Sequence, residues 1–243
     1  MSLKIGSEAP NFSARTTAGD IDFHDYLGDS WGILFSHPAD FTPVCTTELA
    51  QLARSYKDFQ ARNVKVLAYS CDSLESHQKW VPDIEAYAND LWEEDLEEVP
   101  EAPEGGKEGM RYVYQVKYPI IEGADRKVAA LYGMIDEDDA TNVDAKGMPM
   151  TVRSVYFIAP DKKIKAIITY PASTGRDFYE ILRVVDSLQL APKQKMATPV
   201  GWKSGQKAVI LPFVKDEEAE AQFGKDNIER RFPYLRFAKP AME

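Results

Sequence analysis

Cys45 is the residue of this chain best placed to act as a nucleophile. It follows a short apolar run at 31–36 and falls in the first turn of an amphipathic segment that begins near Pro43 or Val44. Backbone N–H groups in the first turn of a helix have no partner within the helix, and the helix dipole places partial positive charge there. Both effects favour the thiolate, the reactive form of cysteine. The residues leading to it read Pro38-Ala39-Asp40-Phe41-Thr42-Pro43-Val44. Thr42 is three residues earlier, so its hydroxyl can approach the sulfur across one turn and hold a substrate oxygen. Pro38 and Pro43 stiffen the loop, and Pro38, lacking an N–H, can wall water off from the sulfur. A cysteine taken alone is more often a small buried hydrophobe. Here the neighbours favour a thiolate that attacks a substrate held through oxygen.

The elements that must position these residues are legible as patterns. The run 31–36 (WGILFS) reads as a buried strand. Leu49, Leu52, Ala53, Tyr56 and Phe59 then recur at helical spacing. Val64–Ser70 reads as a second strand, and Ser73 as the N-cap of a helix through about Tyr87. Asp125 can cap a short helix ending near Tyr132. Val152–Ile158, a turn at 159–163 and Ile164–Tyr170 form a hairpin candidate. Asp177 can cap a helix with Phe178, Ile181, Leu182, Val185 and Leu188 on one face. Pro192 and Pro199 mark a boundary, and five prolines after residue 191 argue against a tail made of one long helix. The order implies an α/β fold, a central mixed sheet covered by helices, of thioredoxin-like type with a C-terminal extension. The expected division is 1–190 and 191–243.

The 243 residues suit one domain plus an appendage. With 44% hydrophobic and 28% charged residues, a wholly disordered or fibrous chain is excluded. No apolar run approaches the ~18 residues of a membrane span. The N-terminus has no apolar signal core, so no secretion signal is expected. The net charge of −10 argues against nucleic acid as a partner. Residues 89–108 alone account for −8, and with Pro100, Pro103, Gly105 and Gly106 they read as an exposed loop. Two cysteines and three histidines, scattered and without C-x-x-C, suggest neither a disulfide framework nor a zinc site. No metal or cofactor is expected, and a reducing, cytoplasmic setting is.

The spacing P-x-x-x-T-x-x-C resembles the active-site motif of the peroxiredoxins. The wider string 35–48 (FSHPADFTPVCTTE), together with Gly147-Met148-Pro149 and the run Tyr170–Arg176, is similar to the 1-Cys, peroxiredoxin-6-type branch. The resemblance implies an antioxidant thiol peroxidase. Cys45 then matches the peroxidatic cysteine, Thr42 the residue holding the peroxide oxygen, and Pro38 the shielding proline. Arg153 matches the arginine that polarises the peroxide and stabilises the thiolate, a fixed cation with several donors. Glu48, one turn after Cys45, would orient that arginine. His37 is carried over as a weaker candidate. A homodimer or higher homo-oligomer with tail exchange is implied as well.

Cys71 is expected to be a packed structural thiol, and no cysteine follows it. The oxidised Cys45 would therefore be reduced by an external thiol, glutathione or a small redoxin. The expected substrates are hydrogen peroxide and organic hydroperoxides, phospholipid ones included. A second reading comes from Gly28-Asp29-Ser30-Trp31-Gly32, which fits G-x-S-x-G. With His24 and Asp161, Ser30 matches the phospholipase A-like triad credited to some members of the family. Ser30 precedes a strand instead of following one, which is the wrong mechanical setting for a nucleophile elbow. A third reading keeps the reactive cysteine but no turnover, as a redox sensor or chaperone.

Overall fold

A hairpin that the sequence patterns do not announce opens the chain. Strands β1 (Ser13–Thr16) and β2 (Gly19–Asp22) pair antiparallel, and the short helix α1 (Phe23–Leu27) follows, with Asp22 accepting from the Asp25 N–H at its start. The computed structural model describes residues 3–90, 113–135 and 139–241. Next comes β3 (Trp31–Ser36), then α2 (Pro43–Arg54) and α3 (Tyr56–Ala61), then β4 (Val64–Tyr69). The one helix expected through Phe59 is two, because the chain turns out of helical geometry at Ser55 (φ −84°, ψ 1°). Strands β3 and β4 are parallel, Trp31 opposite Val64 and Ser36 opposite Tyr69. Parallel strands need a crossover, which α2 and α3 supply. Both strands are buried nearly throughout, the reason they read as continuous apolar runs.

Helix α4 (Leu74–Asp90) begins as Ser73 accepts from the Ser76 N–H. Of the acidic loop expected over 89–108, Asn89 and Asp90 belong instead to the end of α4, and residues 91–108 lie outside the described residues. After it come β5 (Ile120–Ile121), α5 (Lys127–Tyr132), and the hairpin β6 (Arg153–Ile158) and β7 (Ile164–Tyr170). Asp125 accepts from the Lys127 N–H, while the cap position itself is Arg126 in left-handed backbone (φ 57°). The seven strands run β2-β1-β5-β4-β3-β6-β7. The core on one face is Leu27, Leu34, Leu67, Tyr69, Ile121, Tyr132 and Tyr156. Across β3, Phe35 meets Phe59 edge-on at 6.3 Å and Phe178 at 5.7 Å. Each such buried side chain contributes about 1.5–3 kcal/mol by burial.

The chain forms two compact units, Met1–Phe178 and Tyr179–Glu243. Helix α6 (Phe178–Gln194) continues through Pro192, so the expected boundary at 190/191 falls within a helix. Proline lacks one N–H, and near a helix end that loss interrupts little. The second unit then builds a four-stranded antiparallel sheet, β10-β11-β9-β8, from β8 (Met196–Ala197), β9 (Ala208–Ile210), β10 (Glu229–Phe232) and β11 (Leu235–Ala238). Helix α7 (Asp216–Phe223) and a short 3-10 helix at Lys225–Asn227 lie between β9 and β10. Its core is Leu190, Met196, Trp202, Ala208, Ile210, Val214 and Ala219.

Candidate active site

The loop 37–42 joins β3 to α2 and delivers the chain to Cys45. Phe41 lies there in left-handed backbone (φ 54°), an unusual state for a bulky residue and one that surrounding contacts must hold. Thr42 follows in extended backbone as the N-cap of α2, and Pro43 opens the helix where its missing N–H is not needed. Cys45 is then the third helical residue, with 0% of its surface exposed. Thr42 does not cap the helix with its side chain: its hydroxyl donates to the Ala39 carbonyl at 2.9 Å. Pro38 is buried and Thr42 partly buried.

Arg153, the first residue of β6, reaches across the sheet end to the sulfur. Its Nη1 is 3.3 Å from Cys45 Sγ and 2.8 Å from Glu48 Oε2, and its Nε donates to the Ala172 carbonyl at 2.8 Å. Glu48 is one turn beyond Cys45 on α2 and also buried. Its carboxylate meets a second arginine. Arg176 donates from its backbone N–H and its Nε to Oε1 (2.8 and 3.0 Å) and from Nη2 to Oε2 (2.6 Å). Its Nη1 is spent on the carbonyls of Ser36 (2.8 Å) and Ser154 (3.2 Å), and its guanidinium lies over the Phe35 ring. Burial alone would raise the Glu48 carboxyl. The charge and hydrogen bonds of Arg176, with the charge of Arg153, outweigh it and hold the group below the ordinary carboxylate range. Two guanidinium groups against one carboxylate leave one positive charge beside the sulfur, enough to balance a thiolate.

The structure thus brings Cys45, Arg153 and Glu48 into contact and places Pro38 and Thr42 on the adjoining loop. His37 is fully buried at the start of that loop, its Nε2 3.4 Å from Asp40 Oδ1 and its Nδ1 without a hydrogen-bond partner among the described residues. Burial pushes its imidazole below the usual value, against the pull of Asp40. Arg176, Asp40 and His77 belong to this neighbourhood and were not singled out by the sequence reading. Arg176 ends the run Tyr170–Arg176, yet no spacing rule links it to a glutamate 128 positions away in sequence.

Cys71 is half-buried and free, packed against the core face that holds Leu34 and Tyr69. Burial pushes its thiol up, with the charge of Arg126 and a hydrogen bond from Tyr69 opposing. Among the described residues no hydrogen bond joins Ser30, His24 and Asp161 to one another. Ser30 Oγ donates to Asn63 Oδ1 at 3.0 Å, His24 Nε2 faces the Ala9 carbonyl at 2.8 Å, and Asp161 pairs with Lys165 at 3.1 Å. The glycines of that motif have local causes. Gly28 ends α1 with φ 53°, and a side chain on Gly32 would strike Leu27 at 2.6 Å.

Known proteins resemble this chain over nearly its full length. Residues 5–167 match the AhpC/TSA family and residues 187–225 the C-terminal domain of 1-Cys peroxiredoxin. The chain is 48% identical over 239 residues to Peroxiredoxin-6 of Rattus norvegicus and equally to that of Homo sapiens, covering 97% of this chain and 96% of each relative. It is 46% identical over 237 residues to the mitochondrial Peroxiredoxin PRX1 of Saccharomyces cerevisiae, covering 98% of this chain and 81% of that one. Among solved structures, a cysteine-to-serine mutant of the Peroxiredoxin 6 of Arenicola marina superposes with a TM-score of 0.82 at 41% identity, over the whole of both chains. The yeast mitochondrial 1-Cys peroxiredoxin gives 0.77 at 42% identity, over 98% of this chain and 99% of that one. With a thioredoxin-like fold and full-length likeness to these proteins, this chain belongs to the peroxiredoxins, in their 1-Cys, peroxiredoxin-6-type branch.

Proposed function

We infer that this protein is a thiol-dependent peroxidase, and the contact that carries the inference is Arg153 Nη1 to Cys45 Sγ at 3.3 Å. The Cys45 thiolate attacks one oxygen of the peroxide. An S–O bond forms, the O–O bond breaks, and the departing hydroxide or alkoxide takes a proton to leave as water or alcohol. Arg153 stabilises the thiolate and then the charge that grows on the breaking O–O bond. Glu48 holds Arg153 in place through Oε2, and Arg176 fixes the carboxylate by bonds to both of its oxygens. Thr42 is proposed to hold a peroxide oxygen and Pro38 to shield the sulfur.

The resulting Cys45 sulfenic acid needs two reducing equivalents. One external thiol forms a mixed disulfide with release of water, and a second returns Cys45 to the thiol as the two external sulfurs join. Glutathione or a small redoxin is proposed as the donor. The yeast mitochondrial 1-Cys peroxiredoxin, whose structure addresses thiol resolution via glutathione/thioredoxin systems, supports that proposal. Hydrogen peroxide and organic hydroperoxides, phospholipid ones included, are the proposed substrates. A homodimer or higher homo-oligomer is proposed, supported by exposed Val200, Phe213, Phe232 and Tyr234 in the second unit. A cytoplasmic location is proposed from the two free thiols; cell fractionation tests it, with the mitochondrial yeast relative as the competing case. The decisive assay is peroxide consumption with each thiol. Wild type should turn over and Cys45→Ser should not; turnover by Cys45→Ser refutes the assignment.

A further inference from the structure

Helix α4 reaches the active-site loop through a buried histidine that the peroxidase chemistry leaves unused. His77 is 0% exposed. Its Nδ1 lies 2.8 Å from Asp40 Oδ2 and its Nε2 3.0 Å from the Ile121 carbonyl of β5. Asp40 sits midway between Pro38 and Thr42, two residues from each, and directly before the left-handed Phe41. The other contacts of its carboxylate are long: His37 Nε2 at 3.4 Å and Ser70 Oγ at 3.5 Å, both on Oδ1. The Asp40 backbone N–H is held separately, by Asp72 Oδ2 at 3.0 Å. One turn further along α4, the Trp80 ring packs on both His37 (5.4 Å) and Phe41 (6.2 Å). The loop that carries Pro38 and Thr42 is therefore braced from α4, and the short bond in that brace is His77 to Asp40.

The sulfur is held by different elements. It sits in the first turn of α2 and against Arg153 from β6, and neither bonds to His77 or Asp40. The loop and the sulfur are tied through α2 as well, since Trp80 Nε1 donates to Thr46 Oγ1 at 3.3 Å, but the His77–Asp40 bond itself touches the loop and not the residues around the sulfur.

We propose that His77 is a positioning residue for peroxide reduction, acting through Asp40 on the loop that presents Pro38 and Thr42 to the substrate. The proposal rests on the peroxidase reading above. It implies a split that general damage to the fold would not produce. Loosening the brace should slow attack on peroxide, which needs the loop, and spare attack on a small alkylating agent, which needs only the thiolate.

The test uses the full chain and two reactions of Cys45 at one pH: single-turnover oxidation by hydrogen peroxide and alkylation by iodoacetamide. His77→Ala should slow oxidation roughly tenfold to a hundredfold while alkylation stays within about twofold of wild type. His77→Asn, whose amide N–H can stand where Nδ1 does, should recover most of the oxidation rate. Asp40→Asn, which keeps the shape of the loop residue, should show the same split as His77→Ala and serves where that variant does not fold. Unchanged oxidation in His77→Ala overturns the proposal, and so does equal slowing of both reactions. A wild type that peroxide does not oxidise overturns the peroxidase reading instead, a result distinct from any loss confined to the variants.

Discussion

The same Arg153 nitrogen, Nη1, lies 3.3 Å from the Cys45 sulfur and 2.8 Å from Glu48 Oε2. The arginine that faces the nucleophile is therefore oriented by a carboxylate one helical turn behind that nucleophile, and Arg176 locks the carboxylate by bonds to both of its oxygens. The three charges act as one unit, which makes single replacements informative.

Replacing Arg153 by glutamine should slow oxidation of Cys45 by peroxide on the order of a hundredfold to a thousandfold, about 2.7–4 kcal/mol of lost transition-state stabilisation. Alkylation at neutral pH should slow as well, because the cation next to the sulfur is gone. Stopped-flow oxidation and iodoacetamide kinetics read the two effects. An Arg153→Gln variant oxidised at the wild-type rate would remove the arginine from the mechanism.

Glu48→Ala leaves two buried guanidinium groups facing each other without a counter-ion. Breaking a buried pair by removing one partner costs about 3–5 kcal/mol. Urea denaturation should show a loss of that order, together with slower peroxide attack. A midpoint close to wild type would mean that Arg153 and Arg176 find other partners.

Acid stability follows from the same group. The folded Glu48 carboxyl lies below its ordinary range, held there against burial by Arg176 and Arg153. Asp40 lies far below its own range, because hydrogen bonds from His37 and His77 outweigh burial. A depressed carboxyl contributes stability that is present above its unfolded value, and that stability is lost as pH falls through the folded value. Melting temperature should thus hold near neutral pH and fall below about pH 4, the ordinary carboxylate value. In Asp40→Asn the acid limb should be shallower. Equal limbs in the two proteins would contradict the assignment.

One protein thiol should complete the cycle. No cysteine follows Cys71, and burial keeps the Cys71 thiol up. One equivalent of peroxide should add one oxygen to the Cys45 peptide without a Cys45–Cys71 disulfide. Excess peroxide without reductant should drive Cys45 to the sulfinic acid and inactivity. Mass spectrometry after each dose decides it: a Cys45–Cys71 crosslink, with turnover lost in Cys71→Ser, would mean a two-cysteine mechanism.

Ser30→Ala removes the hydrogen bond to Asn63 and should cost about 0.5–1.5 kcal/mol, leaving peroxide turnover unchanged. Any phospholipid hydrolysis by wild type should survive the substitution, since His24 and Asp161 hydrogen-bond elsewhere. Hydrolysis abolished by Ser30→Ala would revive the hydrolase reading.

Local chemistry was readable from residue types alone. Apolar runs and helical spacing placed β3, α2, β4 and the β6–β7 hairpin, because a buried parallel strand and an amphipathic helix each demand a distinct pattern. The loop Pro38–Thr42 and the first-turn position of Cys45 followed from proline and helix-end physics, both of which act within a few residues. The β1–β2 hairpin and the four short strands after residue 195 were not readable. Each is four residues or fewer, too short for a period to show. The break at Ser55 and the run of α6 through Pro192 were hidden for a related reason, since tertiary packing overrides weak local preferences. Arg153 came from resemblance, while the pairing of Glu48 with Arg176 and the brace from His77 to Asp40 came only from the fold. They join residues 128 and 37 positions apart. Such contacts exist because the C-terminal ends of β3 and β4, the start of β6 and the start of α2 converge at one end of the central strands. A charge buried there is stable only beside its partner, and which partner arrives is decided by how the chain crosses the sheet.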